Sequence, residues 1–315
     1  MNTTTLLFQL FQNVLILLAA PLLLGWVNNC RAWMQGRSGA GIFQPYSTLA
    51  KLFKKDAVLA NNASLLFRYT PYILFVSMWL AASLVPVIAI ELPLSAAVDV
   101  IALVGIFAMA RVFIALAAMD IGTSFGTLGA RREMLVSFLA EPALLMVFFS
   151  ASLIANSTSL TTIVETFAHK SFIIYPSMAF AGIAFLMVLL AENARIPVDN
   201  PSTHLELTMI HEAMILEYSA RHLALIEWAS ALKLFAYITI GFALFLPWGI
   251  AEAGNWGALP LAMLLLLLKL AAAGFGLALL ESVSAKLRIF RAPEFLGTAF
   301  LFAVLGILIT NLLKV

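Results

Sequence analysis

The sequence has very little charge and almost no cysteine for its length. Only 11% of its 315 residues are charged, whereas soluble proteins average about 25%. An ordinary hydrated surface is therefore excluded, and 63% hydrophobic residues with a mean hydropathy of +1.02 indicate an integral membrane protein. The single cysteine, Cys30, excludes an internal disulfide and a cysteine cluster for iron–sulfur or zinc binding.

Known catalytic motifs are also missing. The sequence contains no GxSxG motif, no Walker motif and no basic patch interleaved with aromatic residues. We therefore expect no active site in this chain and no nucleic-acid partner.

Long apolar runs dominate what is present. Runs of about 20 residues predict transmembrane helices, not the short alternating strands of a membrane barrel. We predict an all-α integral membrane protein, with residues 1–315 as a single membrane domain. Hydropathy places eight spans at Leu6–Val27, Tyr69–Ile90, Val98–Ala118, Met134–Ala155, Ile173–Leu190, Leu223–Pro247, Leu259–Leu280 and Phe295–Leu313. The first run is expected to be a retained helix, since no basic residue precedes it and it is long for a signal-peptide core.

The basic residues lie on one side of this arrangement. Thirteen Lys and Arg residues fall in the odd-numbered connections, whereas only Lys170 and Lys314 fall on the other side. The positive-inside rule makes the odd-numbered connections cytoplasmic and both termini periplasmic. The predicted cytoplasmic loops are 28–68, 119–133, 191–222 and 281–294.

The first cytoplasmic connection contains an amphipathic segment, Phe43–Phe53. Its apolar residues recur at helical spacing, and lysines surround its end. This pattern predicts an interfacial helix that lies on the membrane. Anchoring the connection and shaping a cavity are both consistent with the pattern.

Several ionisable residues fall within or against the apolar spans. A charge at the centre of a span costs at least about 2.5 kcal/mol, so such residues are normally paired or functional. A fixed ion pair between helices and a proton-carrying site are the two interpretations. The basic members are Arg111, Lys233 and Lys269, and the acidic ones are Glu141, Glu192, Glu227 and Glu281.

Glu141 is followed directly by Pro142. The proline removes a backbone donor and is expected to kink the helix. The kink would leave a polar pocket beside the carboxylate in which water can lodge, as a proton relay requires.

The most acidic stretch is the connection from Glu192 to Tyr218, which holds five of the 16 acidic residues. Pro197 and Pro201 bracket Asp199 and hold the chain non-helical there. The residues from Ser202 to Tyr218 contain no proline or glycine and are compatible with a helix.

On such a helix two pairs of residues would each share a face, Glu206 with Glu217 and His204 with His211. His204, Glu206, His211 and Glu212 are a conceivable metal set. Their spacing is not that of the zinc motif HExxH, so proton handling or loop structure is favoured over metal binding.

The residues alone leave two classes open, a transporter or channel and a membrane subunit of a larger energy-converting complex. The motifs E-N-A-R-I-P-V-D-N-P, H-L-E-L and L-E-Y-S in 192–219 resemble the corresponding loop of the complex I subunit 1 family. The first connection, with its glycines, G-I-F-Q-P-Y and Lys51, is similar to the first loop of that family. The resemblance implies a proton-translocating membrane subunit and extends over the whole chain.

Within the family, the chain is similar to the branch of membrane-bound nickel–iron hydrogenases of the formate hydrogenlyase and hydrogenase-4 type. The similarity rests on 120–133, on Glu141–Pro142, on Trp228 to Lys233 and on P-W-G at 247–249. It implies a peripheral hydrogenase-like large subunit, an iron–sulfur small subunit and antiporter-like membrane subunits as partners. Nickel–iron and iron–sulfur centres are expected in those partners and none in this chain.

The chain also departs from the family pattern. Ser202 and His204 replace family acids, and Ala220 and Ala40 replace an expected glycine and proline. Fewer loop carboxylates place the family's quinone-linked path in doubt, so quinone binding stays open.

We therefore predict a bacterial inner-membrane subunit that anchors a soluble redox arm and carries part of a proton path. The alternatives are a quinone-reactive subunit of a complex I-like NADH dehydrogenase and a stand-alone ion transporter. The predicted path residues are Glu141, Glu192, Asp199, Glu206, Glu217, Glu227, Lys233, Lys269 and Glu281. Structural or interface roles are predicted for Arg111, Arg195, Pro197, Pro201 and Tyr218. The sequence does not identify the electron donor or acceptor, the pumped ion or the direction of turnover.

Overall fold

The computed structural model describes residues 3–90, 92–93, 99–169, 176–199, 209–252, 257–285, 287 and 291–313. These residues form a helical bundle, as predicted. In chain order the helices are α1 (Thr3–Met34), α2 (Gln44–Phe53), α3 (Leu65–Leu84), α4 (Val100–Asp120), α5 (Ser124–Ala155), α6 (Leu160–His169), α7 (Pro176–Glu192), α8 (His211–Ile215), α9 (Ala220–Phe245), α10 (Leu259–Val283) and α11 (Ala292–Leu313). Two short strands, β1 (Ala89–Ile90) and β2 (Ala251–Glu252), pair in parallel.

Seven of these helices are long and apolar enough to cross a membrane, namely α1, α3, α4, α5, α9, α10 and α11. The remaining predicted span corresponds to α7, an apolar helix of 17 residues, which is at the short end for a span. Each predicted span thus coincides with an apolar helix, and the all-α membrane fold is confirmed. The orientation of the termini stays a prediction.

Among the helix boundaries that differ from the sequence prediction, two have a clear local chemical reason. The second span ends at Leu84, not Ile90, because Val85 is extended before Pro86 and the chain continues into β1. The fourth span begins at Ser124, not Met134, because the Thr123 side chain caps the helix by accepting the Gly126 amide at 3.3 Å. Most of the predicted loop 119–133 is consequently helical.

Three packed groups of helices build the bundle. Helix α11 packs on α5 and α7, α3 packs on α4 and α9, and α1 packs on α10. Many interface positions are fully buried alanines, for example Ala20, Ala81 and Ala184. Small side chains let helix backbones approach closely, which is how helices associate within membranes.

Helix α2 confirms the amphipathic helix predicted in the first connection, and it packs against α1 and α9. Helix α6 was not predicted, because its ten residues are too few for a span.

Candidate functional site

A buried cluster of four ionisable residues joins α4, α5, α7 and α9. The Arg111 guanidinium contacts the Glu192 carboxylate and lies 3.8 Å from Oε1 of Glu141. Lys233 Nζ lies 3.2 Å from Glu192 Oε2 and donates to the Glu192 carbonyl at 2.6 Å. Arg111 also donates to Ser137 Oγ at 2.7 Å. The Glu192 side chain is 0% exposed, so this is an ion cluster deep within the protein.

The formal charges of this cluster cancel. Arg111 and Lys233 supply two positive charges, and Glu141 and Glu192 supply two negative charges. Buried charges are tolerated when they are paired in this way. The Glu192 carboxylate oxygens nevertheless make no hydrogen bond of good geometry within the described residues, so the pairing is chiefly electrostatic.

Glu192 reaches the cluster because α7 ends there. Ala194 adopts a left-handed conformation with φ of 49°, and the Arg195 amide donates back to the Leu190 carbonyl at 2.9 Å. This is how a helix is commonly terminated. The turn directs Arg195 away from Glu192 and toward α10.

Arg195 belongs to a second ion cluster. Its Nη1 donates to Glu281 Oε1 of α10 at 3.0 Å, while Arg31 of α1 lies 3.5 Å from the other oxygen of that carboxylate. The Glu281 side chain is 1% exposed. Two guanidinium groups thus share one buried carboxylate.

A cavity of about 390 Å³ lies between the two clusters. Its volume falls within the range of ligand pockets in proteins. Leu74, Met78 and Phe107 form part of an apolar wall. Three more carboxylates join the two clusters in lining it, and they belong to Glu133, Glu212 and Glu227.

Pro142 is accommodated within α5, which continues through it. Glu141 is partly exposed at 30% and occupies the edge of the first cluster. Ser137 lies one helical turn earlier on the same face and completes the contact with Arg111.

The central connection is held by Asp199. This residue is 2% exposed, and its Oδ2 accepts the His211 amide at 3.2 Å, which caps α8 from outside the helix. Arg132 Nη1 donates to the Met209 carbonyl at 2.7 Å and ties the same segment to α5. In the structure Asp199 therefore has an evident role in holding the connection.

The prediction of one helix from Ser202 to Tyr218 is wrong. Helix α8 begins only at His211, where Asp199 supplies the cap, and it ends at Ile215. Glu217 lies exposed in the turn that follows. Pro201, His204 and Glu206 lie outside the described residues.

No group of three or more His, Cys, Asp or Glu residues in the described ranges is arranged to hold a metal. His204 and Glu206, two of the four residues considered as a metal set, lie outside those ranges.

Tyr218 and Ser219 fasten the first connection to the bundle. The Tyr218 ring stacks on Phe67 at 4.0 Å, and its hydroxyl donates to the Phe67 carbonyl at 3.1 Å. Burial raises the pKa of Tyr218 above its usual value of 10.0, which keeps this donor protonated. Ser219 Oγ donates to the Val58 carbonyl at 2.8 Å and accepts the Val58 amide at 2.9 Å.

Pro197 has a similar structural contact. Its carbonyl accepts the Leu287 amide at 2.9 Å, which joins the central connection to the segment after α10. The peptide bond from Ile196 to Pro197 is cis.

Lys269 lies apart from both clusters. Its Nζ donates to the Leu246 carbonyl at 2.6 Å and to the Trp248 carbonyl, and it lies 5.9 Å from the centre of the Phe242 ring. These carbonyls are at the C-terminal end of α9, where a cation is favoured. The structure therefore places Lys269 as a cap for α9.

Sequence reasoning missed Gln12, which performs a related task for α3. Gln12 is fully buried, and its amide donates to the Val85 carbonyl at 3.1 Å while accepting the Val87 and Ile88 amides. The broken backbone after Pro86 is thereby satisfied inside the protein. A glutamine within an apolar run was the sequence feature that could have indicated this role.

The predicted path residues therefore separate in space. Glu141, Glu192 and Lys233 meet in the first cluster, Glu281 forms the second, and Glu227 lines the cavity between them. Arg111, which was predicted among the structural or interface residues, is central to the first cluster. The proton-path assignment itself stays a prediction.

The helical fold with its two buried ion clusters defines a multi-pass membrane protein with charged groups inside its helical bundle. The family model described as NADH dehydrogenase matches residues 7–311, so the chain belongs to this family, that of complex I subunit 1. The resemblance found in the central connection is thus confirmed.

Two curated relatives come from Escherichia coli. The chain is 31% identical to formate hydrogenlyase subunit 4 over 302 residues, covering 96% of this chain and 97% of the relative. It is 33% identical to hydrogenase-4 component C over 266 residues, covering 84% and 82%. A more distant relative, a subunit of the NADH-quinone oxidoreductase of Rickettsia bellii, is 25% identical over 206 residues, covering 64% and 60%.

A solved structure shares the fold. A chain of the membrane-bound sulfane sulfur reductase, an archaeal respiratory membrane complex, matches with a TM-score of 0.84 and 19% identity, covering 96% of this chain and 98% of that chain. The relatives are subunits of membrane-bound complexes, and the chain is a membrane subunit of the complex I-like type that works with partner subunits.

Proposed function

We propose that the chain is the membrane anchor and proton-path subunit of a nickel–iron hydrogenase complex of the formate hydrogenlyase type in the bacterial inner membrane. Similarity to two hydrogenase-type subunits over most of the chain supports this assignment. The structural observation that best supports a proton path is a cluster of four ionisable residues whose formal charges cancel, beside a charged cavity. Its members are Arg111, Glu141, Glu192 and Lys233.

The mechanism is electrostatic. Unit charges 4 Å apart interact by about 4 kcal/mol at an effective dielectric constant of 20. Because the cluster is neutral, a proton added to Glu192 leaves one uncompensated positive charge beside Arg111 and Lys233. A proton released from Lys233 restores neutrality, and a redox event at the cytoplasmic arm would drive this exchange through the cavity charges.

The redox chemistry belongs to the partners in this proposal. A hydrogenase-like large subunit and an iron–sulfur small subunit would hold the nickel–iron and iron–sulfur centres. Antiporter-like membrane subunits would receive the displaced protons. This chain would contribute the anchor and the charged cluster, and it would hold no redox centre.

A quinone-reactive subunit is the second candidate. The apolar wall of Leu74, Met78 and Phe107 beside charged groups favours it, because such a cavity could admit a quinone head group. The similarity to a subunit of an NADH-quinone oxidoreductase also supports it, although over a shorter part of the chain.

Purification of the tagged chain in a mild detergent, with mass spectrometry and metal analysis, tests the assignment. Nickel, iron and antiporter-like subunits in the eluate are the expected result. Quinone-sensitive electron transfer without nickel would favour the second candidate, and an active lone chain would establish a transporter.

Proton movement is tested in vesicles that contain the purified complex. Glu192→Gln and Lys233→Met should each uncouple proton uptake from electron transfer. Glu294→Gln is the matched control, because Glu294 is exposed at the start of α11 and belongs to neither cluster. Intact coupling in both cluster variants would refute the proton path while leaving the anchor role standing.

A further inference from the structure

An exposed stripe runs along the whole of α3. Its members recur every three or four residues and are 40% to 67% exposed, namely Leu65, Tyr69, Tyr72, Val76 and Leu80. This spacing places them on one face of the helix. Because α3 is long and apolar enough to cross a membrane, the stripe is suited to contact lipid acyl chains. The two tyrosines lie in its first two turns, and tyrosine is enriched at the level of the lipid head groups.

Two exposed arginines flank the end of the stripe that carries the tyrosines. Arg68 is in the first turn of α3, and Arg221 is in the first turn of α9. Tyr72 follows Arg68 by one helical turn and lies edge-on against His222, with 5.8 Å between the ring centres. The residue before Arg68 stacks on Tyr218, three residues before Arg221. These two ring contacts bracket both arginines, so the arginines lie at one level on neighbouring helices.

Neither arginine has an acidic partner in the described part of the chain. Arg111 and Arg195 form buried ion pairs, whereas Arg68 and Arg221 form none within the described ranges. The buried His222, next to Arg221, also has an Nδ1 without a hydrogen-bond partner among the described residues. The chain therefore leaves polar groups unpaired at the junction of α3 and α9.

The segment after α2 brings lysines to the same junction. The Phe53 ring packs on a tryptophan of α9, with 6.4 Å between the ring centres. Further along, Val58 is held by Ser219 through two hydrogen bonds of 2.8 and 2.9 Å. Between these two contacts the chain exposes Lys54 and Lys55. The lysines are thereby kept close to the start of α9.

The exposed charge at this junction is positive. Its four exposed cations outnumber the two exposed acids of the same segments, Asp56 and Glu217. A cluster of about four to eight Lys and Arg residues beside a spanning helix is typical of a surface that binds anionic lipid head groups. The positive-inside rule predicts that this end of α3 is cytoplasmic.

A phospholipid matches both parts of this surface. An acidic surface of a soluble partner could meet the cations, but it would leave the apolar stripe beside them uncovered. A phospholipid carries a negative phosphate directly above apolar acyl chains. The order of groups along α3, with cations and tyrosines at one end and aliphatic side chains beyond them, is the same.

We propose that the junction of α3 and α9 binds an anionic phospholipid, whose phosphate is held by Arg68 and Arg221 and whose acyl chains follow the α3 stripe. Guanidinium groups form short, charge-assisted hydrogen bonds with phosphate oxygens. Lys54 and Lys55 add attraction for the negative head group. The bound lipid ties α3, α9 and the segment after α2 together at the membrane surface. The site does not depend on the proposed proton path.

The first test is native mass spectrometry of the delipidated complex, with phosphatidylglycerol or phosphatidylcholine of the same acyl chains added back. The wild-type complex should retain more phosphatidylglycerol than phosphatidylcholine under collisional activation. The assembled Arg68→Gln/Arg221→Gln complex should retain one phosphatidylglycerol fewer. Unchanged retention in that variant would overturn the site, and so would loss of a partner subunit without loss of lipid.

Arg37→Gln/Arg131→Gln provides the matched control. It removes the same charge from two exposed arginines, one in the turn after α1 and one in α5. Phosphatidylglycerol retention should stay at the wild-type level in this variant. An equal loss would show that the lipid is attracted by overall charge, and the specific site would be refuted.

The second test needs no variant. It is electron cryomicroscopy of the wild-type complex in nanodiscs that contain equal parts of phosphatidylcholine and phosphatidylglycerol. Phosphate oxygens are expected about 2.8 Å from the guanidinium groups of Arg68 and Arg221, with acyl-chain density continuing along α3. Bare arginines, a carboxylate of a partner subunit at the arginines, or a free phosphate ion without acyl chains would each overturn the inference.

Discussion

Neutralising two members of opposite charge in the first ion cluster should destabilise the protein by less than the sum of the two single changes. Glu192→Gln leaves Arg111 and Lys233 facing a single remaining carboxylate, that of Glu141. Removing one partner of a buried ion pair costs about 3–5 kcal/mol, because the other charge stays buried and uncompensated. Lys233→Met has the opposite imbalance, and we expect a loss at the lower end of that range because Arg111 still compensates Glu192.

The double variant Glu192→Gln/Lys233→Met restores neutrality, since Arg111 and Glu141 then balance one another. Its cost should fall short of the sum of the single losses by about 2 kcal/mol, within the coupling range of residues in direct contact. Equilibrium unfolding of the purified protein in mixed micelles, followed through the fluorescence of its six tryptophans, measures these differences.

Glu217→Gln is the control for this cycle, because Glu217 is exposed in the turn after α8. Its effect should stay within about 0.5 kcal/mol, as for most surface substitutions. Strictly additive losses in the cycle would refute the reasoning, since they would mean that Glu192 and Lys233 do not stabilise one another.

Substitutions at three further positions test the structural contacts. Asp199→Ala should cost about 1–2 kcal/mol and speed amide exchange in α8, whereas Asp199→Asn should retain the cap. Lys269→Met should cost about 1–3 kcal/mol, because the α9 carbonyls lose their donor, and unfolding measurements should show Lys269→Arg to be milder. Gly129→Leu should displace α8, since even a Cβ at this position would lie 2.9 Å from Ala213 Cβ, and accelerated proteolysis near α8 would report it.

The sequence was sufficient for the helices because membrane insertion imposes a length and composition that hydropathy detects. It was less reliable where a local residue or a distant side chain decides the boundary. Pro86 was a local indication that α3 ends early, and it was overlooked within an apolar run. The cap on α8 could not be foreseen, because Asp199 and His211 are joined only by the fold.

For the ionisable residues, the sequence identified the candidates but not their grouping. Arg111, Glu141, Glu192 and Lys233 come from four different helices, and no spacing rule relates them. Lys269, in contrast, was a candidate that belongs to neither cluster in the structure. Its apolar surroundings suggested a charge at the centre of the membrane, but the turn after α9 brings backbone carbonyls to its ammonium group.

The first four residues of the acidic connection now have a physical explanation. Glu192 binds the cluster formed by α4 and α9, and Arg195 binds the cluster formed by α1 and α10. The left-handed turn at Ala194 separates these two side chains and directs them to opposite partners. A carboxylate and a guanidinium on one short, buried segment therefore join two ion clusters. A change in charge at Glu192 alters the electrostatic field at Arg195 without any movement of the helices, because the protein interior screens the interaction between the two side chains weakly.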